Sequence, residues 1–164
     1  MKIRVIIGLG NPEANYRNTY HNVGQQFVRF FEEKMRKGSR PDITLLSSPT
    51  YMNTSGRYVA NALRELGAPP EELLIVHDDS DLSLGSYKLS FGRGAAGHHG
   101  VQSIMASLGT KNFWRLRIGV RRASEGVRRK KAGEFVLSKI TPKERTIFQR
   151  VFRDSSIKIE VSRA

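Results

Sequence analysis

Apolar and polar positions change period several times along the chain, and each change marks an expected element. From Ile3 to Ile7 only Arg4 is polar, and Gly8-Leu9-Gly10-Asn11-Pro12 ends the run abruptly, which predicts a buried strand and a loop. Val23, Phe27, Phe30 and Phe31 then fall at helical spacing, with Glu32, Glu33 and Lys34 off that face. Lys37-Gly38-Ser39-Arg40-Pro41 stops this amphipathic helix, and Ile43 to Leu46 predicts a short second strand. A second helical stripe, Val59, Ala62, Leu63 and Leu66, is capped by Asn53 or Ser55 and ended by Gly67 and Pro69-Pro70. Leu73 to Val76 is a buried strand that delivers His77 and Asp78 at its end, and Gly85 to Phe91 alternates as another strand. The glycine loop from Gly92 to Gly100 leads into a helix with Val101, Ile104, Met105 and Leu108 on one side. In Phe113 to Val120, Trp114, Leu116, Ile118 and Val120 alternate against Arg115 and Arg117, so the arginines share one face. Thr141-Pro142-Lys143-Glu144 has the form of a capping box with proline at the first helical position, and Ile147, Phe148, Val151 and Phe152 supply the buried stripe of a last helix.

Strands alternating with helices at this density indicate a three-layer α/β fold, a largely parallel sheet with helices on both faces. At 164 residues the chain holds one real core, so residues 1–164 are expected to form a single domain. There is no internal repeat, no low-complexity tract, no apolar stretch of bilayer length and no signal-peptide pattern ahead of the first strand. The lack of cysteine excludes a disulfide framework, a thiolate nucleophile and a thiolate zinc site.

Charge changes the picture more. Twenty-eight Lys and Arg against fifteen Asp and Glu leave a formal charge of +13. Lys111, Arg115, Arg117, Arg121, Arg122, Arg128, Arg129, Lys130 and Lys131 crowd into one region opposed only by Glu125, which points to a polyanion, nucleic acid before membrane. The first loop is not a dinucleotide-binding turn, because Glu13 stands where the third glycine belongs and Pro12 removes an N–H from the pyrophosphate site.

The ordered set Gly8-Leu9-Gly10-Asn11-Pro12, His21-Asn22-Val23-Gly24, Tyr51-Met52-Asn53-Thr54-Ser55-Gly56, His77-Asp78 with Asp81-Leu82, Gly92 to Gly100 and Phe113 to Gly119 resembles the bacterial-type peptidyl-tRNA hydrolase family. That resemblance implies a mixed, mostly parallel twisted sheet with an antiparallel edge. It also implies a monomeric, cofactor-free and metal-free hydrolase, cytoplasmic or mitochondrial, acting on the ester between a peptide and tRNA. Carried over residue by residue, it makes His21 the base that activates water and Asp78 its orienter. Asn11, Asn53, Tyr16, Met52 and His99 become substrate-binding positions, and Arg117, Lys88, Lys111 and Arg115 meet tRNA phosphates. The chemistry is coherent: histidine is the natural base near neutral pH, a carboxylate fixes its tautomer, and no G-x-S-x-G elbow offers a covalent nucleophile. His77 and His98 read as residues that position a strand end and a loop.

The chain departs from the family pattern at His99, where asparagine is usual, and at Ser90, where a lysine would form the second jaw of a phosphate clamp. The segment ahead of Tyr51 and the C-terminal end are also shorter than the family's. Two other functions fit parts of the pattern: a non-catalytic RNA-binding relative of the organelle intron-splicing kind, and a metal-dependent nuclease using Asp78, Asp79 and Asp81.

Overall fold

A computed structural model describes residues 2–37, 42–122 and 135–163, with the side chains of 161–163 excluded. The helix stop at 38–41 and the basic positions 128–131 lie outside the described residues. Five strands form one sheet: β1 (Val5–Gly8), β2 (Thr44–Ser47), β3 (Leu73–Ser83), β4 (Tyr87–Phe91) and β5 (Trp114–Arg121), in the order β2-β1-β3-β5-β4. All neighbours are parallel except β4, which runs antiparallel to β5 at the edge. The helices are α1 (Val23–Arg36), α2 (Ser55–Leu66), α3 (His99–Leu108) and α4 (Pro142–Arg163). Among the described residues no helix is long and apolar enough to cross a membrane.

Alternation along the strands sorts the core into two layers. Ile6, Leu74, Val76, Leu116 and Ile118 face Phe27 and Phe31 of α1 and Phe148 and Phe152 of α4. Val5, Ile7, Leu73 and Ile75 face Val59 and Leu63 of α2 and Val101 and Ile104 of α3. The three-layer architecture expected from the sequence is therefore present. α1 lies unusually close to the sheet: a Cβ on Gly24 would stand 2.2 Å from the Val76 carbonyl oxygen, and one on Gly8 would stand 2.3 Å from the Gly24 oxygen. Only glycine permits that approach, so these two positions set the height of the helix over the strand ends.

Strand boundaries differ from expectation by a residue or two at β1, β2, β4 and β5, as the ends of regular elements do. The larger difference is β3, which continues past Val76 to Ser83. β1 pairs with it only as far as Gly8↔Val76, and beyond that point β3 continues against β5 alone, with a register shift between Asp79 and Ser83. His77 and Asp78 thus sit inside a strand, at the place where one neighbour has ended. This is the switch point between β1 and β3, where an open α/β sheet leaves a crevice.

Candidate active site

The first loop after β1 brings His21 into that crevice. His21 Nδ1 lies 2.8 Å from Asp78 Oδ1, and His98 Nε2 lies 3.0 Å from the same oxygen. Asp78 is buried, 2 % exposed, while His21 keeps part of its ring open to solvent. His98 is the N-cap of α3, and its Nδ1 accepts the Val101 N–H at 3.3 Å. An acceptor at Nδ1 leaves the proton on Nε2, so His98 donates to Asp78. A carboxylate oxygen accepting from His98 also accepts from His21 Nδ1–H, which puts the lone pair of His21 on Nε2, without a hydrogen-bond partner among the described residues. Cap, carboxylate and base are therefore joined in one network in which each tautomer follows from the one before.

Electrostatics agree with that assignment. Burial pushes His21 toward neutrality, but the charge and hydrogen bond of Asp78 outweigh it and raise its pKa above the ordinary value. Burial alone would raise Asp78; the charges and hydrogen bonds of His21 and His98 reverse this and hold it well below the carboxylate range. His77 is driven far down by burial, with His98 and Arg115 adding to the effect, and is neutral. Its Nδ1–H donates to the Asp78 carbonyl at 2.7 Å, and its ring packs edge-on to His98 at 4.6 Å. Its Nε2 has no hydrogen-bond partner among the described residues, a cost of about 1–3 kcal/mol retained beneath the site.

Around the pair lies a cleft of about 190 Å³ lined by Ala95, Ala96, Gly97, His98, His99 and Val136 as well as His21 and Asp78. Asn11 and Met52 are joined to each other outside the lining of this cleft. The Asn11 main chain exchanges two 2.9 Å hydrogen bonds with the Asn22 amide, and Asn11 Oδ1 accepts the Met52 N–H at 3.3 Å. The oxygen is committed, so the Asn11 amide presents donors. Gly100 permits the close approach of Met52 to α3, since a Cβ there would stand 2.9 Å from the Met52 sulfur. Asn53 lies exposed in the short 3-10 turn Met52–Thr54; it does not cap α2, whose N-cap is Thr54, nor does Ser55, which is already helical. Tyr16 lies half-buried in the turn Ala14–Tyr16, outside the cleft lining. His99 is exposed at the start of α3, its Nδ1 3.2 Å from Gln102 Oε1.

A second cleft, about 680 Å³, opens between β4 and the glycine loop and is lined by Lys88, Ser90, Phe91, Arg93, Arg115 and Arg117. Lys88 stands opposite Arg117 across the β4–β5 ladder and Ser90 opposite Arg115. Arg117 Nε donates to Asp79 Oδ2 at 2.6 Å. Arg115 departs from the sequence expectation of a surface cation: it is 2 % exposed, and its Nη2 donates to the carbonyls of Arg93 and Gly94 at 3.1 and 2.8 Å. It shapes the glycine loop. Lys88 and Lys111 are exposed.

The acidic cluster does not assemble. Asp78 turns to the histidines, Asp79 to Arg117, and Asp79 Oδ1 accepts the Asp81 N–H at 2.8 Å. Successive strand residues point to opposite faces, which separates the carboxylates of Asp78 and Asp79. The nuclease expectation therefore lacks its metal-binding triad. His21, Asp78 and His98 do place three ligand atoms within 4.8 Å of one another. A metal at His98 Nε2 would, however, force the proton onto Nδ1, where it would oppose the Val101 N–H, so the set fits protons better than an ion.

His98 is the residue that sequence reasoning undervalued. Its position immediately ahead of the helix, as a capping side chain, was the available signal.

Known proteins resemble this chain in sequence and in fold. The peptidyl-tRNA hydrolase family profile matches residues 5–163. The chain is 37% identical to a peptidyl-tRNA hydrolase of Aquifex aeolicus over 169 aligned residues, covering 93% of this chain and 86% of that one. Identity to the enzyme of that name from Nitrosomonas europaea is 43%, over 73% of this chain and 70% of the other. The crystal structure of peptidyl-tRNA hydrolase from Acinetobacter baumannii superposes with a TM-score of 0.83 at 30% identity, covering 97% of this chain and 87% of that one. With the match running through every element from β1 to α4, the chain belongs to the peptidyl-tRNA hydrolase family.

Proposed function

We propose that the protein hydrolyses the ester joining a peptide to the terminal ribose of tRNA, using water activated by His21 and so returning tRNA from aborted translation. The observation that carries this reading is a partly exposed histidine whose Nδ1 is held 2.8 Å from a buried carboxylate, so that its lone pair lies on Nε2. His21 takes a proton from water as that water attacks the ester carbonyl. Asp78 stabilises the imidazolium that forms, and His98 keeps Asp78 in place. The donor amide of Asn11 and the exposed amide of Asn53 are suited to hold the substrate's peptide and terminal nucleotide without adding charge. Lys88, Lys111 and Arg117 engage tRNA phosphates, and the net charge of +13 supports attraction over distance. The protein acts as a monomer, in the compartment where translation occurs.

Turnover of a peptidyl-tRNA in the presence of EDTA tests the reaction and its independence of metal. His21→Ala is expected to lower kcat by about 10³-fold or more while leaving tRNA affinity within a few-fold, because the base acts only in the transition state. Tight tRNA binding with no turnover by the unaltered protein would instead assign it to RNA binding.

A further inference from the structure

Tyr20 precedes the proposed base directly, and its side chain points away from the cleft into the α1/α4 core, where Phe135 and Phe148 meet it edge-on. It is 1 % exposed, yet its hydroxyl is fully bonded. The Tyr20 O–H donates to Glu144 Oε2 at 2.8 Å, and the hydroxyl oxygen accepts from Arg122 Nη2. Arg122 also donates to both oxygens of Glu144, at 2.6 and 3.2 Å, and its guanidinium carbon lies 5.4 Å from the Tyr20 ring centroid. Glu144 completes the capping box of α4: the Thr141 N–H and O–H each reach Oε2 at 2.9 Å, and Thr141 Oγ1 accepts the Glu144 N–H at 3.3 Å. Burial opposes the charge on Glu144, but the hydrogen bonds from Arg122, Thr141 and Tyr20 hold its pKa down at about 2. Burial and Glu144 push the Tyr20 hydroxyl up to about 12.

The backbone makes the connection to His21. The His21 N–H donates to the Val136 carbonyl at 2.8 Å, Thr19 bridges Lys139, and the Ile140 N–H donates to the Asn18 carbonyl at 2.8 Å. The segment 135–140 therefore holds the backbone from Asn18 to His21, supplies Val136 to the cleft wall, and runs straight into the cap at Thr141. A side chain anchored one residue before His21 and a backbone clasp at His21 itself converge on one helix end.

We infer that Tyr20, Glu144 and Arg122 form a positioning device for His21: the start of the C-terminal helix fixes the loop that aims the imidazole, although none of the three touches substrate. The inference rests on His21 being the base. A fixed loop matters because a misplacement of about 1 Å can cost about a hundredfold in rate. Partial release by Tyr20→Phe or Glu144→Gln is therefore expected to lower kcat about tenfold while KM stays within about twofold.

The test measures kcat, KM and melting temperature for both variants and follows His21 by imidazole ¹⁵N chemical shifts, which read its tautomer and titration without activity. Ile159→Val, which thins the α4 core away from the loop, is the comparison. Lowered kcat with a displaced His21 titration in the cluster variants, and unchanged kcat in Ile159→Val at similar loss of melting temperature, supports the inference. Unchanged kcat and ¹⁵N signature in Tyr20→Phe overturns it, as does an equal loss of kcat in Ile159→Val. Should Glu144→Gln fail to fold, Tyr20→Phe decides alone, because it keeps the ring and removes one hydroxyl. A retained rate in His21→Ala would overturn the reading of the base instead, which separates the two failures.

Discussion

The two clefts share a wall, the glycine loop, and are built on opposite principles. In the smaller one the groups around the base are held: Asp78 by two histidines, and His98 by the helix it caps. In the larger one the cations are carried on long side chains, and Lys88 is exposed. Chemistry needs a base within tenths of an ångström of its place, whereas a phosphate is satisfied by charge that reaches it. Arg115 is the exception in the larger cleft, a buried cation that spends its donors on the carbonyls of Arg93 and Gly94 in the glycine loop. Substitutions in the first cleft should therefore change the rate, and substitutions in the second should change affinity and its response to salt.

The largest effect after loss of His21 itself is expected from Asp78→Asn. It removes the charge that raises His21, and kcat should fall by about 10² to 10⁴-fold, the range for loss of an orienting carboxylate. The pH profile sharpens the result. A base works when neutral, so kcat/KM rises as pH passes His21's pKa, and the raised value puts that limb above about 6.5 in the unaltered protein. In Asp78→Asn burial is left unopposed, and the limb moves to lower pH. The stability sign is separate: because Asp78 is depressed in the fold, its contribution is present above the unfolded pKa of about 3.9 and is lost as pH falls toward the folded value. Urea melts from about pH 7 down to about pH 2 would show the unaltered protein losing an advantage over Asp78→Asn across the acid range. A limb that stays in place would break the assignment of His21.

Next comes Arg117→Glu in the cationic cleft. Reversing this charge beside tRNA should weaken binding by about one to two orders of magnitude at low salt and reduce the logarithmic salt slope by about one unit. At saturating substrate kcat should be nearly retained. Titrations at several salt concentrations, paired with single-turnover rates, check both. A fall in kcat with the slope unchanged would move Arg117 into the chemistry and erase the contrast between the clefts.

Periodicity made the layers legible, because Leu74 and Val76, or Phe27 and Phe31, reveal their faces within a few residues of one another. The arginine face of β5 was legible for the same reason, but alternation gives direction and not depth, so it could not tell that Arg115 would be buried while Arg117 remained half-exposed. Neither could spacing foresee that β3 would outrun β1, since that depends on where the first loop turns away. The joint grip of His21 and His98 on Asp78 spans separations of 57 and 20 residues, and only the sheet order brings them together. The resemblance supplied His21 and Asp78. His98 was hidden because a histidine in a glycine-rich stretch reads as a loop residue until the helix it caps is in place.

The smallest of these effects, and the one that bears most directly on the boundary between the clefts, concerns His99. It lies in the wall of the smaller cleft, exposed at the first residue of α3, with Nδ1 turned toward Gln102. Neutral imidazole offers one donor and one acceptor, as an amide does in a more compact form, so His99→Asn should preserve turnover if this position donates to the reacting oxygen or its water. His99→Ala should then slow the chemical step by about tenfold, equivalent to about 1.4 kcal/mol of transition-state stabilisation. Single-turnover rates at saturating peptidyl-tRNA for both variants separate a donor role from a purely structural one. Full activity in His99→Ala, with KM also unchanged, would make His99 a surface residue of the helix and confine the rigid half of the molecule to the network around Asp78.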